Sequence, residues 1–446
     1  MATRREFLSA AGSLLAPAAA TRKPNIVLIV ADDLGYADVG FHGCREILTP
    51  NLDVLAGRGV QFTNGYVSHP FCSPTRAGLL TGRYQQRFGH ENNMKFNPED
   101  EIAGLPLSEQ TLPSMLKQAG YRTAAIGKWH LGAHPKFHPL KRGFDEFFGF
   151  IGGGHDYFDS GKAGDPRELF VPVERDGKPV LIYEYLTTAL GKEAASYVER
   201  NAAHPFFLYC AFNAPHSPLQ APVPLTQLYS AIADKDRRTY AAMVSALDEC
   251  VGRILFNIRL HKLERDTLIF FLSDNGGPVK GNASNNAPLR GAKRTLYEGG
   301  IRVPFVAHWT GRLPEGKQHH EPVSSLDIVP TALAAAGITA PPAQKLDGVN
   351  LLPQLDGKNA APPQRNLYWR MFGGHQFAVR DQQHKLIRNA DGSAELYDLK
   401  ADIGEAANLA SAKPAVLKRL NTAIDQWNRG LIKPKWDDHI FHRKPA

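Results

Sequence analysis

The chain has 446 residues, of which 43% are hydrophobic and 22% are charged, and its formal net charge is +8. This composition is typical of a globular protein that can bury a large core without a disulfide framework. The basic residues are scattered and form no runs interleaved with aromatic residues, so we expect no nucleic-acid partner. A small or polymeric anionic substrate fits the positive charge instead.

The N-terminus has the order of an export signal. A basic start precedes an apolar stretch from Phe7 to Pro17, and small residues precede Thr21. This stretch is too short to span a membrane, and residues 3–8 (TRREFL) also resemble a twin-arginine signal. We predict a signal peptide over residues 1–22 and an exported, periplasmic or secreted protein with no membrane span. A disordered basic tail is the alternative.

Four short apolar runs predict buried β-strands: Asn25–Val30, Tyr121–Gly127, Pro205–Phe212 and Thr267–Leu272. Each run is of strand length and continuous rather than alternating, which is typical of strands buried on both faces. Helical patterns lie between the runs, and the clearest is the apolar stripe of Tyr240–Leu260. This alternation predicts an α/β fold with a large doubly wound, mixed and mostly parallel sheet flanked by helices.

A smaller region follows the proline-rich stretch at residues 339–348. Short strand-like segments joined by turns come first, and a helical segment with Pro414 near its start closes the chain. These patterns predict a small antiparallel sheet with one helix. We therefore expect a catalytic domain over residues 23–340 and a C-terminal α+β subdomain over residues 341–446.

Polar side chains follow each of the four predicted strands. In an open α/β sheet the functional site lies beyond the carboxyl ends of the strands, so groups far apart in sequence meet at one edge. Each group alone could be a cap or a turn former. The residues concerned are Asp32, Asp33, Lys128, His130, His216, Asp274 and Asn275.

The acidic and amide members of this set offer hard oxygen ligands. Asp32, Asp33, Asp274 and Asn275 suit calcium, or less well magnesium, and suit zinc poorly. The alternative is that the carboxylates cap loops and pair with arginine or lysine. Sequence leaves both interpretations open.

The basic members would surround an anion. Lys128, His130, His216 and Lys293 bring positive charge and proton donors, and Arg76 adds a planar fork suited to a tetrahedral oxyanion. A pocket with a divalent cation, an arginine and two lysines favours a phosphate or sulfate group. Any one of these residues could instead be a solvated surface group.

The four cysteines differ in their surroundings. Cys210 and Cys250 lie in apolar patterns and are expected to be buried small hydrophobic residues. Cys72 stands without a neighbouring cysteine at the predicted start of a helix, in FCSPTRAGLLTGRY. Whether Cys44 forms a disulfide stays open.

Several blocks together resemble one family. In chain order they are KPNIVLIVADDLGYADVG, TPNLDVLAGRGVQFTNGY, FCSPTRAGLLTGRY, AAIGKWHLG, NAPHSPLQAP, LSDNGG and KRTLYEGGIRVPF. This order resembles the type I sulfatases of the alkaline phosphatase superfamily, from about Lys23 to the C-terminal ELYDLKAD. One departure is Thr75, where serine is commoner in the family.

The resemblance implies a role for Cys72. In the family this cysteine is oxidised by a formylglycine-generating maturation enzyme to Cα-formylglycine, an aldehyde. Its hydrate would supply an activated hydroxyl that attacks sulfur, and its second hydroxyl would allow sulfate to be expelled. By resemblance, calcium would be bound by Asp32, Asp33, Asp274, Asn275 and the modified residue 72.

The resemblance also assigns roles to the basic residues. Arg76 and Lys128 would hold and polarise the hydrated aldehyde. His130 would take the proton that collapses the sulfated intermediate. His216 and Lys293 would bind the substrate sulfate, and one of them would protonate the leaving oxygen. Which of the two is the acid stays open.

The closest resemblance is to exported polysaccharide and glycosaminoglycan sulfatases, including the arylsulfatase B and N-acetylgalactosamine-sulfatase types. The block GFDEFFGFIGGGHDYF carries this resemblance. Within it, His155 and Asp156 could line a sugar subsite. Later in the chain, the same role could fall to Trp369, Arg370 and His375. For each, ordinary loop packing is an equal alternative. The rival functions are phosphomonoester or phosphodiester hydrolysis and non-catalytic glycan binding.

Overall fold

The computed structural model describes residues 22–165, 167–355 and 364–437. The predicted signal peptide falls outside the described residues except for residue 22. Among the helices that the structure describes, none has the length and apolar character needed to cross a bilayer.

The strands of the described residues are short, and most have fewer than seven residues. They are β1 (Asn25–Ala31), β2 (Val60–Phe62), β3 (Gly65–Tyr66), β4 (Arg122–Lys128), β5 (Glu146–Phe150), β6 (Glu174–Arg175), β7 (Lys178–Pro179), β8 (Phe206–Ala211), β9 (Thr267–Ser273), β10 (Phe305–His308), β11 (Lys317–His319), β12 (Val323–Ser324), β13 (Leu367–Met371), β14 (Gln376–Arg380), β15 (His384–Asn389) and β16 (Ala394–Asp398).

The α-helices range from single turns to a helix of 26 residues. They are α1 (Pro50–Gly57), α2 (Cys72–Thr81), α3 (Leu112–Gln118), α4 (Leu186–Arg200), α5 (Val223–Leu228), α6 (Lys235–Leu260), α7 (Glu298–Ile301), α8 (Ile328–Ala335), α9 (Leu352–Leu355) and α10 (Pro414–Asn428).

Ten strands form one large sheet in the order β11-β2-β10-β9-β1-β8-β4-β5-β6-β7. Its centre, β9-β1-β8-β4, consists of the four strands that the apolar runs predict, and all three of their pairings are parallel. Strand β10 pairs antiparallel with β9, and β6 and β7 add an antiparallel edge. The predicted mixed, mostly parallel α/β sheet is confirmed.

The central strands are buried on both faces, as their continuous apolar runs predict. All seven residues of β1 and of β9 are buried. In β1, Ile26 and Leu28 join the hydrophobic core on one face, whereas Val27 and Ile29 join the core on the other face. The long helix α6 covers the second core with the predicted stripe, in which only Leu255 is partly exposed.

The C-terminal region forms the predicted small antiparallel sheet with the closing helix α10, and the sheet has four strands in the order β13-β14-β15-β16. Helix α10 packs on one face of this sheet through Leu420 and Ile424. From the sheet, Trp369 and Ile387 join the hydrophobic core of the large sheet. The two sheets therefore share a core, and the division of the chain at residue 340 stays a prediction.

Candidate active site

The carboxyl ends of the central strands meet the first turn of α2 at one buried place. Asp32 and Asp274 directly follow the last residues of β1 and β9, and α2 begins at Cys72. The carboxylates of Asp32, Asp33 and Asp274 and the Cys72 sulfur all lie within 4.8 Å of one another. A ring nitrogen of His216, which follows β8, lies equally close to Asp32 and Cys72. Sheet topology thus gathers residues from across the chain.

Helix α2 is buried along its whole length, from Cys72 to Thr81. Its first free backbone amide, that of Ser73, donates to Asn93 Oδ1 at 3.1 Å. The Thr75 hydroxyl donates to the His69 carbonyl oxygen at 2.6 Å. Thr75 therefore supplies the same hydroxyl donor that a serine would supply at this position.

Each site carboxylate is paired with a cation. Arg76 Nη2 lies 2.7 Å from Asp274 Oδ2, and Lys128 Nζ lies 2.5 Å from Asp32 Oδ2. A third pair joins Lys293 Nζ to Asp33 Oδ1 at 2.6 Å. Such charge-assisted pairs fix the side chains in one arrangement and keep a strong positive potential beside the Cys72 sulfur.

The positive charges control the ionisation of the buried acids. Burial would raise the pKa of Asp32, but the charges of Lys128 and Arg76 hold it well below its ordinary value. The pKa of Asp274 is raised, because the group is buried and because Asp32 is negatively charged beside it. Negative charge is thus crowded on one side of the cluster.

The two histidines and the lysine differ in protonation. Burial and the nearby charge of Lys128 hold the pKa of His130 well below its ordinary value. Burial also lowers the pKa of His216, although Asp32 and Asp33 oppose that shift. Burial would lower the pKa of Lys293, yet Asp33 and neighbouring anions raise it. At neutral pH the site therefore holds a charged lysine beside neutral imidazoles.

The Cys72 thiol is a poor nucleophile as it stands. Burial raises its pKa to about 12, although Lys128 and Lys293 act in the opposite direction. Lys293 Nζ lies 3.1 Å from the sulfur, and the sulfur lies 3.6 Å from Asp32 Oδ1. A thiol that stays protonated at neutral pH does not supply the thiolate that direct cysteine catalysis needs.

The acidic side of the cluster fits a hard divalent cation. Asn275 donates its amide Nδ2 to Asp33 Oδ1 at 2.6 Å. Its carbonyl Oδ1 is buried and has no hydrogen-bond partner in the described part of the chain. A buried amide oxygen without a donor, next to three carboxylates, is the kind of set that calcium coordinates. The oxygens of Asp32, Asp33, Asp274 and Asn275 are hard donors, and zinc prefers softer nitrogen and sulfur ligands.

Both site histidines are held by backbone contacts. His130 has a left-handed backbone with φ of 55°, its amide donates to Ile151, and its carbonyl accepts from Ser73 Oγ at 2.7 Å. His216 Nδ1 lies 2.6 Å from the Ser217 carbonyl, so Nδ1 carries the proton. His216 Nε2 then faces Asp33 Oδ2 at 3.6 Å.

Three residues near the site are not among those that the sequence predicts for it. The Tyr157 hydroxyl lies 2.7 Å from the His216 carbonyl oxygen and is buried. His90 Nε2 lies 2.6 Å from Ser73 Oγ, behind the His130 backbone. Glu168 accepts a hydrogen bond from a glycine beside His130. Tyr157 lies inside the GFDEFFGFIGGGHDYF block, and its membership of that block is the sequence feature that could have identified it as a site residue.

Two of the suggested subsite residues face their own loop. Both ring nitrogens of buried His155 lie within hydrogen-bond distance of backbone carbonyls, at 2.6 Å from Asp156 and 2.8 Å from Val171. No ring nitrogen of His155 is left for a substrate. Asp156 accepts from Gln220 Nε2 at 2.7 Å and from two amides of its own turn.

The other three suggested residues lie in the C-terminal sheet region. Trp369 is buried and donates its indole N–H to the Val67 carbonyl at 2.8 Å. Arg370 forms a buried ion pair with Glu91 at 2.6 Å. Both side chains are thus occupied in joining the two sheets, whereas His375 is exposed. The four cysteines are unpaired, and Cys210 and Cys250 are buried as expected.

The architecture and this arrangement can now be set beside known proteins. A sulfatase family model matches residues 24–338, and a model of the N-sulphoglucosamine sulphohydrolase C-terminal region matches residues 291–429. The chain belongs to the sulfatase family. It is a type I sulfatase of the alkaline phosphatase superfamily and a sulfuric ester hydrolase.

Curated sulfatases match over most of the chain. N-acetylgalactosamine-6-sulfatase of Canis lupus familiaris is 38% identical over 78% of this chain and 69% of its own length. The uncharacterized sulfatase YdeN of Escherichia coli K12 is 34% identical over 82% of this chain and 73% of its own length. A crystal structure of Ps i-CgsB in complex with k-i-k-neocarrahexaose has a TM-score of 0.89 and 39% identity, covering 94% of this chain and 95% of that one.

Proposed function

We propose that this sulfatase hydrolyses sulfate esters of a sulfated carbohydrate, with residue 72 acting as a hydrated formylglycine. The observation that carries this proposal is the convergence of three carboxylates, Arg76, Lys128 and Lys293 around a buried, protonated Cys72. Because this thiol stays protonated, it is better suited to be the precursor of formylglycine than to act as the nucleophile itself. When hydrated, the aldehyde supplies one hydroxyl that attacks sulfur and a second whose deprotonation releases sulfate.

Calcium would be held on the acidic side of the site. Asp32, Asp33, Asp274 and Asn275 offer the oxygens, and an oxidised residue 72 offers another oxygen in place of sulfur. A bound divalent cation would supply a positive charge that lowers the energy of anionic oxygens at residue 72. Magnesium is the less suitable ion, because it favours sites that keep several of its waters.

The chain's own cations would bind the substrate. Arg76 and Lys128 donate to Asp274 and Asp32 beside the first turn of α2, where the helix dipole also favours negative charge. Lys293 and His216 also lie close to the Cys72 sulfur and would hold the sulfate oxygens. A sugar hydroxyl is a poor leaving group, so one of these two would donate a proton to it.

His130 is suited to accept a proton. Its pKa lies well below the ordinary value because it is buried next to Lys128 and Arg76, so it is neutral when substrate arrives. The contacts to Ile151 and Ser73 fix its backbone. A neutral imidazole can remove the proton whose loss releases sulfate from residue 72.

Carbohydrate is the substrate class that relatives support. The relatives include N-acetylgalactosamine-6-sulfatases, and the similar crystal structure is a complex with k-i-k-neocarrahexaose. We further propose that the first 22 residues direct export of the chain. A formylglycine-generating enzyme would oxidise Cys72 to the aldehyde. The catalytic part would span residues 23–340 and the C-terminal subdomain residues 341–446.

The test compares two ester types on one preparation. The enzyme is produced in a host that converts the cysteine, and kcat/KM is measured for 4-nitrophenyl sulfate and for 4-nitrophenyl phosphate with calcium present. We expect the sulfate to be hydrolysed faster by at least about 100-fold, a discrimination of roughly 2.7 kcal/mol. A preference for the phosphate would favour the phosphoester-hydrolase alternative. Binding of sulfated oligosaccharides without turnover, on a chain with an intact thiol, would favour the glycan-binding alternative.

A further inference from the structure

A segment of three glycines, Gly152, Gly153 and Gly154, lies against the site histidines and an acidic side chain. Strand β5 runs into Gly152, Gly153 and Gly154. A Cβ built on Gly153 would lie 2.6 Å from His130 Nε2 and 2.8 Å from Glu168 Oε1. Any side chain here would collide with both groups, so His130 and Glu168 approach each other across Gly153 alone.

The same glycine segment contacts the second site histidine, His216. A Cβ built on Gly154 would lie 3.6 Å from His216 Cε1 and 2.9 Å from Leu169 Cδ2. Glu168 and Leu169 therefore back the segment that contacts both histidines of the site. Glu168 Oε1 and His130 Nε2 flank the same open position beside Gly153, so Glu168 lies at the edge of the site.

The Glu168 carboxylate differs from the other acids at the site. Its Oε1 accepts the Gly153 amide proton at 2.5 Å, which fixes the direction of the side chain. No cation pairs with Glu168 in the part of the chain that the structure describes, whereas Asp32, Asp33 and Asp274 are each paired. Glu168 is half-buried, so its second oxygen is left for a group from outside.

We propose that Glu168 determines specificity by reading the group next to the sulfate ester. A carboxylate only accepts hydrogen bonds, so Glu168 would bind a neutral donor there, either a sugar hydroxyl or an amide N–H. It would repel a second anion, either a carboxylate or another sulfate, because two like charges in a partly buried site interact strongly. The inference rests on the proposed function, since it concerns the substrate of that site.

The experiment uses two aryl sulfates that differ in one group. One 4-nitrophenyl sulfate carries a carboxamide ortho to the ester, and the other carries a carboxylate of nearly the same shape. For the wild type we expect the ratio of their kcat/KM values to favour the carboxamide. For Glu168→Gln the ratio should fall by about 100-fold, because one favourable contact and one repulsion are both removed.

Two further variants keep the result interpretable. Glu199→Gln makes the same change on an exposed position of α4 and should leave the ratio at its wild-type value. Glu168→Asp keeps the charge with a shorter reach and should still disfavour the carboxylate. The side-chain carbonyl of glutamine can also accept a hydrogen bond from the Gly153 amide, so Glu168→Gln keeps the contact that holds the glycine segment.

The outcomes separate the two proposals. An unchanged ratio in Glu168→Gln, with kcat/KM lowered equally for both esters, would overturn the specificity role and leave Glu168 as an anchor of Gly153. Failure of the wild type to hydrolyse either ester, with the aldehyde present at residue 72, would remove the proposed function and this inference with it. A ratio that shifts equally in Glu199→Gln would trace the effect to net charge and overturn the proposal.

Discussion

Two clusters of buried charge lie in this molecule, and they are satisfied to different degrees. The structural cluster joins the two sheets: Lys385 of β15 lies 3.0 Å from Glu298 and 2.9 Å from Glu405. Glu298 also pairs with Arg302 at 3.3 Å and accepts the Tyr66 hydroxyl at 2.5 Å. Two carboxylates therefore meet two cations, and the arrangement is complete without a further ligand.

Each carboxylate of the site cluster is paired with a cation, and yet one buried oxygen beside them has no hydrogen-bond donor among the described residues. Three carboxylates and the Cys72 sulfur crowd within 4.8 Å, the pKa of Asp274 is raised by burial and by Asp32, and Asn275 Oδ1 has no donor among the described residues. Both clusters are fully buried, so burial alone does not mark function. What distinguishes the site is the crowding of three carboxylates beside a buried amide oxygen that has no donor, a set of oxygens suited to a divalent cation.

The largest effect is expected from removing the precursor at the site cluster. Cys72→Ala should lower kcat for 4-nitrophenyl sulfate by at least about 10⁴-fold, because alanine cannot be oxidised to the aldehyde that supplies the nucleophile. Cys44→Ser is the matched control and should keep activity within about twofold. Circular dichroism would verify that both variants fold. Substantial activity in Cys72→Ala would contradict the proposed chemistry.

The second prediction tests whether the site cluster binds calcium. Calcium should raise the melting temperature of the wild type, and at 100 times the dissociation constant it should add about 2.7 kcal/mol to the free energy of unfolding. Asn275→Ala removes the unused oxygen and should lose most of this gain.

Asn201→Ala provides the comparison, because Asn201 is also buried but both its polar atoms are bonded, to Arg122 and Tyr197. That variant should be less stable but should keep the calcium-dependent gain. An equal calcium response in wild type and Asn275→Ala would argue against the proposed ligand.

The third prediction concerns the structural cluster. Lys385→Met leaves Glu298 and Glu405 without their shared cation, and breaking a buried ion pair costs about 3–5 kcal/mol of unfolding free energy. Urea denaturation should measure this loss equally with and without calcium. Lys413→Met, at a partly exposed pair with Asp398, should cost less than about 1 kcal/mol. Similar losses for the two lysines would remove the distinction.

The smallest effect is expected from Trp436, which contacts the residues that support His130. Trp436 donates its indole N–H to the Asn92 carbonyl at 2.9 Å, and its ring stands edge-on to His90 at 4.7 Å. His90 in turn contacts Ser73, which holds the His130 carbonyl. Trp436→Phe keeps the ring and loses one hydrogen bond, so kcat should fall by roughly threefold to tenfold. An unchanged kcat and pH profile would show that this contact does not position His130.

The sequence predicts the centre of the fold well, because two-sided burial leaves continuous apolar runs. Strands β1, β4, β8 and β9 begin and end within about one residue of those runs. Helix α6 begins at Lys235, before the apolar stripe, because Asp234 caps it by accepting from Arg237 while its first turn faces solvent. The antiparallel insertion of β10 could not be predicted, since its four residues carry no periodicity.

For the site, the sequence predicts which residues gather but not how each side chain is directed. Placement after a strand is a topological property, and it brings Asp32 and His216 to one edge. His155 and Trp369 had suitable chemistry, yet the structure commits both to backbone carbonyls. Glu168 went unnoticed because its approach to His130 depends on a glycine fifteen residues earlier having no side chain.

The central claim is that residue 72 is made as cysteine and works as an aldehyde. Mass spectrometry of the tryptic peptide from Gly59 to Arg76, taken from enzyme active on 4-nitrophenyl sulfate, tests it most directly. The account predicts that the fraction of peptide with the aldehyde mass rises in proportion to specific activity across preparations of differing conversion. Full activity in a preparation whose peptide carries only the intact thiol would contradict it.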